Sequence, residues 1–170
     1  MKSKRELRRE LIAARRAVPP DEVAAKSAAI ADTLLASVNW AAIHTLHIYR
    51  SVDNWGEVRT GPLIARVGAA WPQIEVTSPT EAKDQPIPTA AFDVIVVPVL
   101  GFDLDCHRLG LGGGYYDRFL AGQASATKIG LAYDWAFVTE GLPREEHDIP
   151  LDEIVTDVRR WEFGGAAPRS

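Results

Sequence analysis

Residues 94–98 read Val94-Ile95-Val96-Val97-Pro98, four β-branched apolar residues closed by a proline. An unbroken apolar run of this length fits a strand buried on both faces, as parallel sheets require. Similar stretches stand on either side of it. Ile43–Tyr49 and the shorter Ile74–Thr77 come before, and Lys128–Tyr133 and Ile154–Thr156 come after. Helical patterns lie between and ahead of them. In residues 3–17, Leu7, Leu11, Ala14 and Val18 form an apolar stripe, and Lys4, Arg5, Arg8, Arg9, Arg15 and Arg16 occupy the other face. Pro19 and Pro20 end that helix, and Pro20-Asp21-Glu22 opens a second one running to about Ser37. Glu57–Val67 is a third helical stretch, weakened by Gly61 and Pro62. Residues 78–90 read as a loop rich in proline, threonine and acidic residues, and 164–170 as a frayed end. Strands alternating with helices imply an α/β layered fold with a mostly parallel sheet.

The chain has 170 residues, enough for a single domain (1–170) that buries its own core without a metal or disulfide staple. It is 46% hydrophobic and 25% charged, which is ordinary for a globular protein. A net charge of −4 argues against a general nucleic-acid binder. No apolar run approaches the roughly 20 residues that span a bilayer. The basic start has no apolar segment behind it, so a secretory signal is not expected. Cys106 is the only cysteine, which excludes an intrachain disulfide. A cytoplasmic protein with no membrane partner is the expectation.

Beyond the central run lies the chain's richest motif, Arg108-Leu-Gly-Leu-Gly-Gly-Gly-Tyr-Tyr-Asp-Arg118. Gly110, Gly112, Gly113 and Gly114 bare the backbone, so a ligand can approach closely. A helix pattern from Tyr115 to Leu120 follows, and the N–H groups at a helix start favour an anion such as phosphate. Arg108 and Arg118 flank the loop as further anion partners, and Asp117 offers a carboxylate to a phosphate-bound Mg²⁺. A plain glycine-rich surface turn is the alternative. No Gly-Lys-Ser/Thr follows, which excludes a Walker A loop. A dinucleotide fingerprint fits poorly, because its glycines follow the strand at once and here Val99–Arg108 intervene. Asp134, placed where a ribose-binding acid belongs, keeps that alternative open.

Other chemistry-bearing residues carry weaker signals. Lys4 and Arg8, one turn apart, point together at one ligand phosphate or simply form part of a solvated face. Asp148, in Pro143-Arg-Glu-Glu-His-Asp148, lies in a loop after a strand, where α/β proteins bind ligands; it reads as a solvated acidic turn or as a partner of Asp117 on one Mg²⁺. His44 and His47 are three apart in a strand-like run and face opposite sides, which reads as strand surface rather than a shared metal site. Cys106 and His107 are adjacent and so rarely point together, which disfavours a thiol nucleophile. Trp40, Trp55, Trp71, Trp135 and Trp161 are packing residues, with Trp55 in a loop where an aromatic ligand can stack.

With these residues assembled, the chain resembles the 5-formyltetrahydrofolate cyclo-ligase (5,10-methenyltetrahydrofolate synthetase) family. Four blocks in order carry the likeness, and together they span nearly the whole chain. They are Lys4-Arg-Glu-Leu-Arg8 with Arg15 and Arg16; Glu57-Val-Arg-Thr60; Asp93–Pro98 with Gly101-Phe-Asp103 and the glycine motif; and Ile129–Ala132 with Leu142-Pro143, His147-Asp148 and Leu151–Thr156. The likeness implies a three-layer α/β sandwich similar to sugar-phosphate isomerases and CoA transferases. It implies a monomer that acts on folate and ATP with Mg²⁺. The reaction would be ATP-dependent cyclisation of 5-formyltetrahydrofolate to 5,10-methenyltetrahydrofolate through a phosphorylated formyl group. By the same likeness, ATP would be held by Lys4, Arg5, Glu6, Leu7 and Arg8, and by Arg108, Leu109, Gly110, Leu111, Gly112, Gly113, Gly114, Tyr115 and Tyr116. The folate would meet Val52, Glu57, Leu111, Gly112, Gly113, Gly114 and Tyr115. Lys4, Arg108 and Tyr115 would be catalytic, and Asp117 and Asp148 would hold the metal. The chain departs from the family pattern in the short segment 61–92, at Ala136 and at Gly113. A relative using the same ATP site on another small molecule, or a non-catalytic nucleotide-binding module, remains an alternative at this point.

Overall fold

The computed structural model describes residues 1–79 and 85–163. The expected frayed end, 164–170, and part of the expected loop, 80–84, lie outside the described residues. Strands β1 (Thr45–Ile48), β2 (Glu75–Thr77), β3 (Val94–Pro98), β6 (Thr127–Leu131), β7 (Glu153–Val155) and β8 (Arg160–Glu162) form one sheet. Their order is β2-β1-β3-β6-β7-β8, all parallel except β8, which runs antiparallel to β7. A separate antiparallel pair joins β4 (Gly101–Phe102) to β5 (Arg108–Leu109).

Helices cover both faces. The β3 side chains alternate, so Val94 and Val96 enter one core while Ile95 and Val97 enter the other. The first core packs α2 (Pro20–Ser37) and α3 (Gly61–Ala70) on the sheet through Ile30, Leu34, Leu63 and Val67. The second holds Phe119 and Leu120 of α4 (Tyr115–Ala121), with Phe102 from the β4–β5 pair. Helix α1 (Lys4–Arg16) joins through Leu7, which packs with Leu109. The architecture is therefore the expected three-layer α/β sandwich with a mostly parallel sheet. Strand order reverses between β1 and β3, and their carboxyl ends define the switch point where open α/β sheets bind ligands.

Local chemistry sets the helix boundaries. Ser3 caps α1 by accepting from the Glu6 amide at 3.2 Å, and Glu6 accepts from the Ser3 amide at 2.8 Å. Pro20 opens α2, where its missing N–H costs nothing. The same rule corrects the third helix: Gly61 and Pro62 start α3 rather than weaken it, and Glu57–Thr60 stay non-helical.

Three further expectations change. Ala14 is exposed, and Arg15 is buried in its place, so Arg15 does not belong to the solvated basic face. His47 is a core residue rather than a strand-surface one, packed edge-on against Phe92 and Phe119 at centroid distances of 5.3 and 4.8 Å. The stretch Val99–Arg108, to which the sequence assigns no element, is occupied by the short β4–β5 pair. Its turn is organised by Asp103, whose Oδ1 accepts from the Asp105 and His107 amides, both at 3.1 Å.

Candidate functional site

The glycine loop leaves β5 and enters α4, and its backbone needs glycine at two points. Gly112 has φ 105° and Gly114 has φ 68°, both in the left-handed region that side chains disfavour. A Cβ on Gly112 would stand 3.3 Å from Arg8 Cζ, so the bare residue lets the Arg8 guanidinium lie over the loop. Arg8 Nε donates to the Gly110 carbonyl at 2.9 Å. Lys4 lies one turn before Arg8 on the same face of α1, and the two line one cleft of about 290 Å³ with the loop, Pro98, Asp117 and the 145–148 segment. Of residues 4–8, only Lys4 and Arg8 face it. Arg5 is exposed, Glu6 serves the cap, and Leu7 is buried against Leu109. Helical spacing turns these three away from the cleft.

Charge is arranged around this cleft in linked pairs. Lys4 Nζ donates to Asp148 Oδ2 at 2.6 Å and to Glu145 Oε2 at 2.9 Å. Burial disfavours the Lys4 charge, but these two bonds outweigh it and raise the pKa above its ordinary value. Asp148 mirrors this: burial opposes ionisation, while Lys4 and the Glu145 amide hold the carboxyl below the usual range. Arg108 is nearly buried and donates to Asp117 Oδ1 at 3.1 Å, and its guanidinium lies 5.9 Å from the centre of the Tyr116 ring. Arg8, bonded only to a backbone carbonyl, keeps its charge free of a carboxylate among the described residues. Helix α4 has only seven residues, so its dipole is short, and Arg8 is the cation over the loop that no carboxylate balances among the described residues.

Oxygen donors suited to a hard divalent cation lie on one wall. Asp117 uses Oδ1 for its bonds to Arg108 and the Ile149 amide, and Asp148 uses Oδ2 for its bonds to Lys4 and the Glu145 amide. The second oxygen of each has no protein partner among the described residues, so each carboxylate keeps an oxygen of the kind a hard cation such as magnesium takes. Among the described residues the group of three that could hold a metal is, however, Glu145, His147 and Asp148, whose ligand atoms lie within 4.8 Å of one another, and it does not include Asp117. Glu145 and His147 were missed in sequence. Their only signal was an acidic doublet beside His-Asp in a loop.

Val52 and Glu57 do not line this cleft. They form a unit beside it, on the loop between β1 and α3. Glu57 is buried, and its Oε2 accepts from the Val52 amide at 2.7 Å. Burial raises the Glu57 pKa, against the opposing pull of that amide and of Arg15. Tyr49 and Tyr133 hold the segment by donating to the Val58 and Gly56 carbonyls at 2.8 and 2.7 Å. Tyr116 connects the two units, since it lines the cleft and is close enough to Glu57 for that charge to raise its pKa further. Val52, Trp55, Leu111 and Trp135 present exposed apolar surface, with Trp135 stacked on Tyr133 at 5.5 Å. Trp40, Trp71 and Trp161 serve packing, as expected.

Cys106 is fully buried, and burial pushes its thiol up to about 12, so it is inert as a nucleophile. No helix among the described residues is long and apolar enough to cross a membrane.

Comparison with known proteins identifies the family and the fold. Residues 1–71 and 68–157 match the 5-formyltetrahydrofolate cyclo-ligase family. The chain is 29% identical to the 5-formyltetrahydrofolate cyclo-ligase of Escherichia coli K12 over 180 aligned positions, covering 88% of this chain and 97% of the relative. It is 36% identical to that of Mycolicibacterium smegmatis over 106 positions, or 62% of this chain and 51% of the relative. A 5,10-methenyltetrahydrofolate synthetase structure from Mycoplasma pneumoniae superposes with a TM-score of 0.78 at 26% identity, covering 92% of this chain and 99% of that one. The Aquifex aeolicus synthetase gives a TM-score of 0.78 at 25% identity, covering 98% and 96%.

Proposed function

The chain belongs to the 5-formyltetrahydrofolate cyclo-ligase family, and from that premise we propose that it closes 5-formyltetrahydrofolate to 5,10-methenyltetrahydrofolate with ATP. The formyl oxygen attacks the terminal phosphoryl group, and ADP leaves. The side-arm nitrogen then attacks the activated formyl carbon and gives up its proton. The carbon–oxygen bond breaks, and phosphate departs carrying the former formyl oxygen.

The observation that supports this most is the meeting of Lys4 and Arg8 with the bare loop Gly110–Gly114 in one cleft. Phosphoryl transfer asks a protein chiefly for positioning and charge stabilisation. Lys4, Arg8 and Arg108 bind the triphosphate, and the backbone from Arg108 to Tyr116 shapes its seat. Asp117 and Asp148 hold magnesium, which when bound neutralises charge on the phosphate oxygens. Glu57 and Val52 contact the pterin, and the formyl group meets the phosphate near Tyr116, which lines the cleft and feels the Glu57 charge. Trp55 is exposed on the same loop as Val52 and Glu57, where a flat aromatic ligand can stack.

Isotopic labelling tests the chemistry. A substrate with isotopically heavy oxygen in its formyl group should release that oxygen in inorganic phosphate. Label recovered in water alone would rule out a phosphorylated formyl group.

A further inference from the structure

The loop that carries Val52 and Glu57 is clamped at its base. Ser51 donates its amide to Thr60 Oγ1 at 3.0 Å, and Thr60 donates its amide to Ser51 Oγ at 3.1 Å. The clamp holds the two ends of the loop together, with Arg50 two residues past β1 on one side and Arg59 at the approach to α3 on the other. Both line a second cleft of about 500 Å³, which shares no residue with the phosphate cleft.

Neither arginine has a carboxylate partner among the described residues, although acidic residues outnumber basic ones, 23 to 19. Arg50 is exposed and forms no hydrogen bond there. Arg59 reaches only the Pro20 carbonyl, from Nη2 at 3.4 Å, and its Nε is buried without a partner. Asp53 is the one acidic lining residue, and it bonds neither. The first turn of α3 borders the same cleft and adds the positive end of its dipole. Two guanidinium forks without internal anions suit a ligand bearing carboxylates.

We propose that Arg50 and Arg59 form a carboxylate-binding subsite that takes the glutamyl tail of the pterin substrate. The assignment rests on the proposed function, because the tail belongs to the folate that Val52 and Glu57 would contact on the same loop. It adds a second anchor, remote from the reacting atoms, which raises affinity for tailed substrates and leaves ATP binding alone.

The test compares 5-formyltetrahydrofolate with 5-formyltetrahydropteroate, which lacks the glutamyl group. The wild type should prefer the tailed substrate in kcat/KM. Arg50→Gln and Arg59→Gln should each reduce that preference about ten-fold, the loss expected for one charge-assisted contact, with KM for ATP unchanged. Arg50→Lys should retain much of the preference. An unchanged preference, or an equal loss on both substrates, would overturn the subsite while leaving the proposed function intact. A wild type that turns over neither substrate would overturn both.

Discussion

Lys4 Nζ lies 2.6 Å from Asp148 Oδ2, a bond that ties the first helix to a loop 144 residues later. It places a cation and a carboxylate at the mouth of the glycine-loop cleft, each biasing the other toward its charged form. Replacing Lys4 with alanine should raise KM for ATP by about ten- to a hundred-fold, the range for a lost charge-assisted contact, and change KM for folate little. Steady-state kinetics on both substrates checks this, and equal shifts would remove the phosphate role.

Asp117 balances the buried Arg108, and its other oxygen has no protein partner among the described residues. Asp117→Asn should lower kcat by about ten-fold or more, with partial recovery as magnesium is raised. A magnesium titration of the variant provides the reading. Complete indifference to metal would refute the assignment.

His47 makes stability sensitive to acid. Burial alone lowers its pKa from 6.5 to about 4. The unfolded chain therefore takes up this proton at higher pH than the folded one. The contribution is complete above 6.5 and is lost as pH falls toward 4, up to about 3 kcal/mol in total. Denaturant unfolding across this window should show the loss, and His47→Gln should flatten it. An equal slope in the variant would place the acid sensitivity elsewhere.

Gly56 passes over the end of α1 with φ 65°, and a Cβ there would stand 2.7 Å from the Arg15 carbonyl oxygen. Backbone cannot swing aside as a flexible side chain can. Gly56→Ala should cost about 1–3 kcal/mol, lowering Tm by roughly 2–4 °C for each kcal/mol. The strained loop carries Glu57, so KM for folate should rise while KM for ATP holds. A thermal melt with paired kinetics measures both.

Some of this was legible in the sequence, for identifiable reasons. The run Val94–Pro98 announces a strand buried on both faces because no position in it needs to meet water. Proline and acidic signals fix the start of α2 within a residue, and the glycine motif marks the cleft loop through its own backbone needs. What depends on distant neighbours was not legible. Arg15 is buried because the Gly56–Glu57 loop covers it, and Glu145 reaches the cleft because Lys4 draws it there. Strands β4 and β5 have two residues each, too few to show a period. Strand β8, Arg160-Trp161-Glu162, was missed because its alternating polar residues lack the apolar run of the interior strands.

The most direct measurement mixes the protein with 5-formyltetrahydrofolate, ATP and magnesium and follows the near-ultraviolet absorbance of the methenyl product. Growth of that band, dependent on ATP and accompanied by one ADP per product, is the expected result. A folded protein that binds ATP yet forms no methenyl product would contradict the account, leaving a phosphate cleft that serves another acceptor.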